Sequence, residues 1–319
     1  MIFYLYKGIE LSLEVINNID DYNNGKKEVV VTIGTFDGLH RGHQEILKRL
    51  MESAKAMKME AVAITFEPHP RVLVTPDDPP LLLSTWDEKV GLFSRYMEGQ
   101  LLVLNFDEEL MNLTAEDFIR NYLTKKLNLK KLVVGYDHAF GKNRSGTIND
   151  LMGLSKAYSF DLEVVNPILV SGRPISSSRI RRLISGHDLS LAVKMLQHRY
   201  PISGQVIKGI GLGKEFGYPT ANIDFHKRKL LPPDGVYSCQ TEYDGNMYDG
   251  MMFIGKNHFD PDREKSVEVN IFDFDRDIYG GKLICYPENF VRQNIKFEST
   301  DELVKQIKID KESILKLKK

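Results

Sequence analysis

Residues 29 to 43, Val29-Val30-Val31-Thr32-Ile33-Gly34-Thr35-Phe36-Asp37-Gly38-Leu39-His40-Arg41-Gly42-His43, constrain this chain more than any other stretch. The opening β-branched run has the look of a strand buried on both faces. Gly34 and Gly38 interrupt it, where a backbone can turn and approach a ligand closely. From His43 onward, Ile46, Leu47, Leu50, Met51 and Ala54 recur at helical spacing and predict a helix. Strand, glycine turn and helix in that order make an anion site, because the unpaired N–H groups of the first helical turn face the turn and the helix dipole adds positive charge. His40 and His43 stand at that end and can donate to phosphate oxygens, with Gly42 between them letting backbone lie against the ligand. Gly34, Phe36, Asp37, Gly38 and Gly42 are therefore candidate phosphate-site residues, and His40 and His43 candidate catalytic ones. The bland alternative is a core histidine beside a structural turn. No Lys-Ser or Lys-Thr follows, which excludes a Walker A loop.

The first half continues as alternating strands and helices. Ala61–Phe66, Leu101–Leu104, Lys131–Gly135 and Leu162–Val165 read as further strands. Thr85 and Glu88 predict a capping box for a helix through Val90, Phe93 and Met97, and Thr114 and Asp117 open another through Phe118 and Tyr122. Strands separated by helices imply right-handed crossovers and a parallel sheet, with ligands outside the carboxyl ends of the strands. Glu67-Pro68-His69-Pro70 and Gly135-Tyr136-Asp137-His138 occupy such ends. After the fifth strand, Ser176-Ser177-Ser178 runs into an apolar-periodic stretch carrying Arg179, Arg181 and Arg182, an N-cap signature that can grip a triphosphate. Ser176, Ser177, Arg179 and Arg181 join the phosphate-site candidates; solvated arginines on a capped helix are the bland alternative.

Near Gly186 the pattern changes, dividing the chain into domains 1–186 and 187–319. Asp188 opens a short helix with Leu189, Ala192, Val193 and Leu196. Val236–Thr241, Met247–Phe253, Val267–Phe272 and Leu283–Tyr286 then read as closely spaced strands, with a hairpin signal at Asp244-Gly245. They predict a small antiparallel barrel, closed by a lysine-rich amphipathic helix with Leu303, Ile307 and Ile314 inward. The glycines of Gly209-Ile210-Gly211-Leu212-Gly213-Lys214 leave room for a backbone nest over phosphates, making Gly211, Gly213 and Lys214 nucleotide candidates. No helix follows, so a dinucleotide fold is excluded. In Pro219-Thr220-Ala221-Asn222, Thr220 and Asn222 offer oxygens suited to hydrated Mg²⁺ on ATP phosphates. Glu268 lies on the polar side of an alternating strand, opposite Val267, Val269 and Ile271. It is either a solvated glutamate or a carboxylate that orients a hydroxyl and takes its proton during phosphoryl transfer.

Composition sets limits on partners. The 319 residues are 42% hydrophobic and 27% charged with a net charge of −1, ordinary for a globular protein and without an electrostatic footprint for nucleic acid. Cys239 and Cys285 alone make neither a disulfide framework nor a zinc site. No signal peptide or membrane-length apolar run is read, so a cytoplasmic protein with small-molecule partners, and no membrane or nucleic-acid partner, is expected.

Gly34–Gly38 followed by His40-Arg41-Gly42-His43 resembles the nucleotidyltransferase signature of bacterial FAD synthetases. The glycine-rich loop leading into Pro219-Thr220-Ala221-Asn222 resembles that of bacterial riboflavin kinases. Together they resemble the bifunctional riboflavin kinase/FAD synthetase family over essentially the whole chain from Val29. That resemblance implies an α/β, Rossmann-like parallel-sheet nucleotidyltransferase domain followed by a Greek-key β-barrel kinase domain with a C-terminal helix. It further implies riboflavin, FMN, FAD and ATP as substrates and products, Mg²⁺ as cofactor, Thr220 and Asn222 at Mg²⁺–ATP, Glu268 as base for the ribityl 5′-hydroxyl, and Arg292 near the flavin. Asp137 is expected on the nucleotide or flavin side of the first site. The chain departs from the family pattern in Phe253-Ile254-Gly255-Lys256-Asn257-His258-Phe259, which lacks a usual Pro-Thr. Further departures are His138 for a usual Phe, Glu67 for Asp and Ser178 for Thr. Three readings remain open: both activities, adenylyl transfer alone, or a non-enzymatic flavin- or nucleotide-binding regulator.

Overall fold

The computed structural model describes residues 12–22, 27–142, 145–209, 213, 217–256 and 265–317. The chain divides into two compact units, Met1–Ser177 and Ser178–Lys319. By that division the helix Ser177–Ser185 counts almost wholly with the second unit, although the sequence pattern groups it with the first.

The first unit holds a six-stranded sheet of β1 (Leu13–Ile16), β2 (Val29–Ile33), β3 (Glu60–Glu67), β4 (Gly99–Asn105), β5 (Leu129–Gly135) and β6 (Asp161–Val165). All neighbours are parallel, in the order β1-β4-β3-β2-β5-β6. β2 is central, and its side chains explain the unbroken β-branched run. Val29, Val31 and Ile33 enter one apolar core with Ile64, Leu104, Phe118 and Leu151, while Val30 enters the other with Leu47, Leu50, Phe93 and Leu101. The chain steps from β2 through β3 to β4 on one side, then crosses to β5 on the other. That reversal beside β2 is the topological switch point, where a parallel sheet opens a crevice at its carboxyl edge.

Capping follows the sequence signals. Thr85 and Glu88 form the complete capping box of the helix Trp86–Tyr96, and Thr114 caps the helix that starts at Ala115. That second helix widens into a π-helical turn over Ile119–Thr124. The edge strand β1 and the helix Ile148–Ala157, absent from the sequence reading, are additions.

β7 (Leu169–Val170) and β8 (Arg173–Pro174) form a small hairpin. The second unit closes a six-stranded barrel from β9 (Ile202–Ile207), β10 (Ala221–Phe225), β11 (Gly235–Tyr243), β12 (Asn246–Gly255), β13 (Ser266–Ile271) and β14 (Lys282–Arg292). Every pairing is antiparallel, and β14 returns beside β11 so that β14-β11-β12-β13 is a Greek key. β9 and β10 complete the closure. Val267 and Val269 are fully buried on one face of β13 while Ser266 and Glu268 are half-buried on the other. The helix Thr300–Leu317 covers Val236, Met251 and Phe272 with Ile314 and Ile307.

Candidate active sites

The first site is built where β2 ends. The glycine turn leaves the sheet with the Gly34 amide donating to Ile64 O at 3.0 Å, and Phe36 and Gly38 take left-handed backbone angles (φ 48° and 76°). Phe36 is buried, its ring edge-on to His43 at 5.2 Å and to Phe93 at 5.3 Å. Its side chain is part of the core.

The Asp37 carboxylate is likewise engaged within the chain. Its carboxylate is buried and accepts from the Leu83 amide (3.1 Å), the Ser84 amide (3.0 Å) and the Ser84 hydroxyl (3.3 Å). The Gly38 amide donates to Ser84 Oγ at 3.0 Å. Asp37 therefore clasps the segment that leads into the helix Trp86–Tyr96, and the Gly38 amide is engaged in the same clasp.

The histidines do assemble. His40 caps the helix Arg41–Met57, its Nδ1 accepting from the His43 amide at 3.4 Å. The two imidazoles stack with ring centroids 3.7 Å apart and planes 16° apart. A Cβ on Gly42 would come within 3.2 Å of the His40 ring, so the space on that side of Gly42 is taken by that imidazole. An accepting Nδ1 leaves the neutral His40 proton on Nε2. His43 Nδ1 is buried with no hydrogen-bond partner. Burial, His40 and the Lys89 charge hold His43 well below the ordinary histidine pKa, which favours its neutral form.

Lys89, which the sequence reading did not single out, is a buried cation whose charge is felt by His43. It is 3% exposed on the helix Trp86–Tyr96, one turn before Phe93 and so on the same face. Burial pushes its ammonium down in pKa while Asp37 and Glu67 pull it up. Its i, i+4 spacing to Phe93 was the available signal.

Beside this turn, β5 ends at Gly135, where an added Cβ would lie 3.2 Å from Ile46 and 3.7 Å from Asp137 Oδ1. Asp137 is exposed at that strand end. Ser177 Oγ donates to Asp37 O at 3.0 Å, bringing the serine run onto the glycine turn. Ser176 precedes the helix Ser177–Ser185, and Arg179 and Arg181 lie half-buried on it.

The second site lies on the polar face of β10 and β13. Asn222 and Glu268 are register partners across the two strands. Thr220 Oγ1 donates to Glu268 Oε2 at 3.4 Å, and Ser266 Oγ lies 3.3 Å from Glu268 Oε1. Asn270 Nδ2 donates to Pro219 O at 2.8 Å and pins the Pro-Thr-Ala-Asn run. The buried Asn222 amide fills the space where a Gly209 side chain would stand. Gly213 is held against Tyr218, whose amide donates to its carbonyl at 2.8 Å. Gly211 and Lys214 lie outside the described residues, as do Asn257, His258 and Phe259 of the departing loop. Among the described residues no cluster of three or more His, Cys, Asp or Glu could hold a metal. Thr220, Asn222 and Glu268 instead offer hard oxygen donors, which suit a largely hydrated Mg²⁺ carried by a nucleotide.

Arg292, expected near flavin, is held by the C-terminal helix. Its Nε lies 3.0 and 2.9 Å from the Asp310 oxygens, its Nη2 donates to Asp310 Oδ2 at 2.8 Å, and its Nη1 donates to Gln293 O at 3.0 Å. Asp310 is 2% exposed and also accepts from Gln306. The guanidinium thus ties β14 to the C-terminal helix.

Comparison with known proteins gives the same two-part division. A FAD synthetase family model matches residues 23–179 and a riboflavin kinase family model residues 196–318. A bifunctional riboflavin kinase/FMN adenylyltransferase of Buchnera aphidicola is 35% identical over 92% of this chain and 94% of its own length. The Bacillus subtilis protein of that description is 32% identical over 90% and 92%. A crystal structure from Streptococcus pneumoniae, described as a macrolide-efflux protein, superposes with a TM-score of 0.83 at 34% identity, over 94% of this chain and 97% of that one. Among the described residues of this chain, no helix is long and apolar enough to cross a membrane.

Proposed function

This chain belongs to the bifunctional riboflavin kinase/FMN adenylyltransferase family, and from that premise we propose how its residues divide the two reactions. The enzyme phosphorylates riboflavin with ATP to FMN, then joins FMN to the adenylyl group of a second ATP, giving FAD and pyrophosphate. We assign adenylyl transfer to residues 1–186 and phosphorylation to residues 187–319. The observation that carries the assignment is that each half has its own assembled polar set: the stacked His40 and His43 in one, Thr220, Asn222 and Glu268 in the other.

In adenylyl transfer the FMN phosphate attacks the α-phosphorus of ATP and pyrophosphate leaves, so no protein nucleophile is needed. The work is positioning and charge stabilisation. His40 and His43 donate to the ATP phosphates from their Nε2 edges. Gly34 and Gly42 shape the turn, and Ser176, Ser177, Arg179 and Arg181 supply further phosphate contacts. Lys89 offsets the Asp37 and Glu67 charges beneath a site that must accept a polyanion. Asp137, exposed beside the switch point, faces the flavin or nucleotide.

In phosphorylation Glu268 orients the ribityl hydroxyl and accepts its proton as the γ-phosphoryl group is transferred. Thr220 and Asn222 would hold Mg²⁺ carried by ATP, which would supply neutralisation of phosphate charge; Thr220 keeps lone pairs for such a cation while its proton points at Glu268. Gly211, Gly213 and Lys214 cradle the nucleotide. A cytoplasmic location matches the use of ATP in both steps.

The test is a chromatographic time course with riboflavin, ATP and Mg²⁺. FMN that rises and then gives way to FAD is expected. FAD from supplied FMN but no FMN from riboflavin would overturn the kinase assignment, and no turnover of either flavin would indicate a binding protein.

A further inference from the structure

Lys89 is buried on the helix Trp86–Tyr96, and among the described residues its ammonium has no hydrogen bond and no ion pair. Two observations place it under the carboxyl edge of the sheet. The helix is anchored there at its start, because the segment Leu83-Ser84 that leads into it is clasped by Asp37. One turn beyond Lys89 and on the same face, Phe93 packs edge-on against Phe36, which in turn packs against His43. The charges felt there agree with this placement. Asp37 follows β2 and Glu67 ends its parallel neighbour β3, both act on Lys89, and Lys89 acts on His43. Neither carboxylate pairs with it: Asp37 spends its oxygens on the Leu83 and Ser84 donors, and Glu67 is exposed to water. A buried ammonium that its own chain leaves unpaired costs stability. Burial lowers its pKa by more than the two carboxylates raise it, so the compensation within the chain is incomplete.

We propose that Lys89 is a phosphate-binding residue of adenylyl transfer, its ammonium lying beneath the ends of β2 and β3 and completed by a phosphate oxygen of the bound substrates. This rests on the assignment of that reaction to residues 1–186. ATP and FMN both bring phosphate, and each enters the site as an anion. His43, whose neutral form is favoured, can donate to such an anion but cannot neutralise it, and Lys89 supplies the positive charge. An ammonium is a compact point charge with three rotatable donors, suited to oxygens whose positions change as pyrophosphate leaves. The missing partner of the buried cation is then the substrate itself, and the cost of burying it in the free protein is recovered on binding.

The test compares the full chain with Lys89→Met, which keeps an unbranched side chain of similar length and removes the charge. FAD formation is followed from supplied FMN and ATP, FMN formation from riboflavin is the control, and the ligand-free proteins are melted with the fluorescence of Trp86, the single tryptophan, as readout. Losing one donor preset for developing charge lowers turnover by about a hundred- to a thousandfold, so kcat/KM for FAD formation should fall by that order. FMN formation should not change. The ligand-free Tm should stay level or rise, because an unpaired buried charge has been removed. A larger rise in KM for ATP than for FMN supports the proposal with the contact on the ATP phosphates, and the reverse supports it with the contact on the FMN phosphate. FAD formation within about threefold of wild type would overturn it. So would a ligand-free Tm lowered by more than about 3 °C, because Lys89 would then be a counter-charge to Asp37 and Glu67 that the fold itself needs. His43→Ala separates the two levels: lost FAD formation supports the assignment on which the proposal rests, whereas retained FAD formation removes that assignment and the role of Lys89 with it.

Discussion

Gly42→Ala should uncouple stability from adenylyl transfer. Gly42 is the second residue of the helix Arg41–Met57, where alanine for glycine gains about 0.5–1 kcal/mol of helix stability. Against this, the new methyl group would meet His40 Cε1 and Nδ1 at 3.2 Å, closer than carbon atoms pack without movement. His40 has little room to yield, being 6% exposed and stacked 3.7 Å from His43. Turning its ring off rotamer costs about 0.5–1.5 kcal/mol, and weakening the N-cap costs about 1 kcal/mol. The opposing changes leave stability lower by roughly 1 kcal/mol, a shift of a few degrees in Tm at most. Trp86, the single tryptophan, reports on this unit by fluorescence. Displacing a prearranged donor by a fraction of an ångström to 1 Å should slow FMN-to-FAD conversion by about ten- to a hundredfold. FMN formation from riboflavin should be untouched. Wild-type adenylyl transfer in a folded Gly42→Ala protein would refute the reasoning, because the imidazole stack would then be a structural cap alone.

Three further outcomes follow from the same geometry. His43→Ala should abolish FAD formation and leave FMN formation intact, while Glu268→Ala should stop FMN formation and still convert supplied FMN; product chromatography reads both. Arg292→Met should leave the buried Asp310 uncompensated at a cost of about 3–5 kcal/mol, seen as a hundredfold or greater acceleration of amide exchange in the helix Thr300–Leu317. A higher KM for riboflavin with unchanged exchange would return Arg292 to the flavin site. His43 has a depressed pKa when folded and the ordinary value of 6.5 when unfolded, so the unfolded chain takes up the proton first as pH falls. Its contribution is present above 6.5 and is lost as pH falls toward the folded pKa, so His43→Gln should flatten that part of the stability profile in pH-dependent thermal melts.

The legible parts of this fold were those written in local chemistry. The Thr85–Glu88 box, the Asp188 cap and the Asp244-Gly245 turn all involve partners a few residues apart, and each stands as read, while β2 was legible from its unbroken β-branched run. β1 and β9 escaped because short strands owe their existence to neighbours distant in sequence: Leu13 pairs with Gly99, and Ile202 with Cys285. The histidines, Thr220, Asn222 and Glu268 could be picked out by type and spacing. Asp37 and Arg292 could be picked out too, but not their partners, since Leu83, Ser84 and Asp310 come beside them only by folding.

Both signature motifs carry glycines that a sequence reading takes as openings for ligand, and the structure gives them another purpose. At Gly42 the free volume is filled by the His40 imidazole, at Gly209 by the Asn222 amide, and at Gly255 by the Asn294 amide, which donates to Ile254 O at 3.1 Å. In each case the missing Cβ lets a polar side chain of this chain lie flat against backbone, where it has few rotamers left. That arrangement reduces the reorganisation needed when charge develops on a transferring phosphoryl or adenylyl group, which is the form of catalysis open to an enzyme whose substrates supply both nucleophile and leaving group. Substitution at Gly42 or Gly209 should therefore be read first in the geometry of the polar side chain beside it and only then in the affinity for nucleotide.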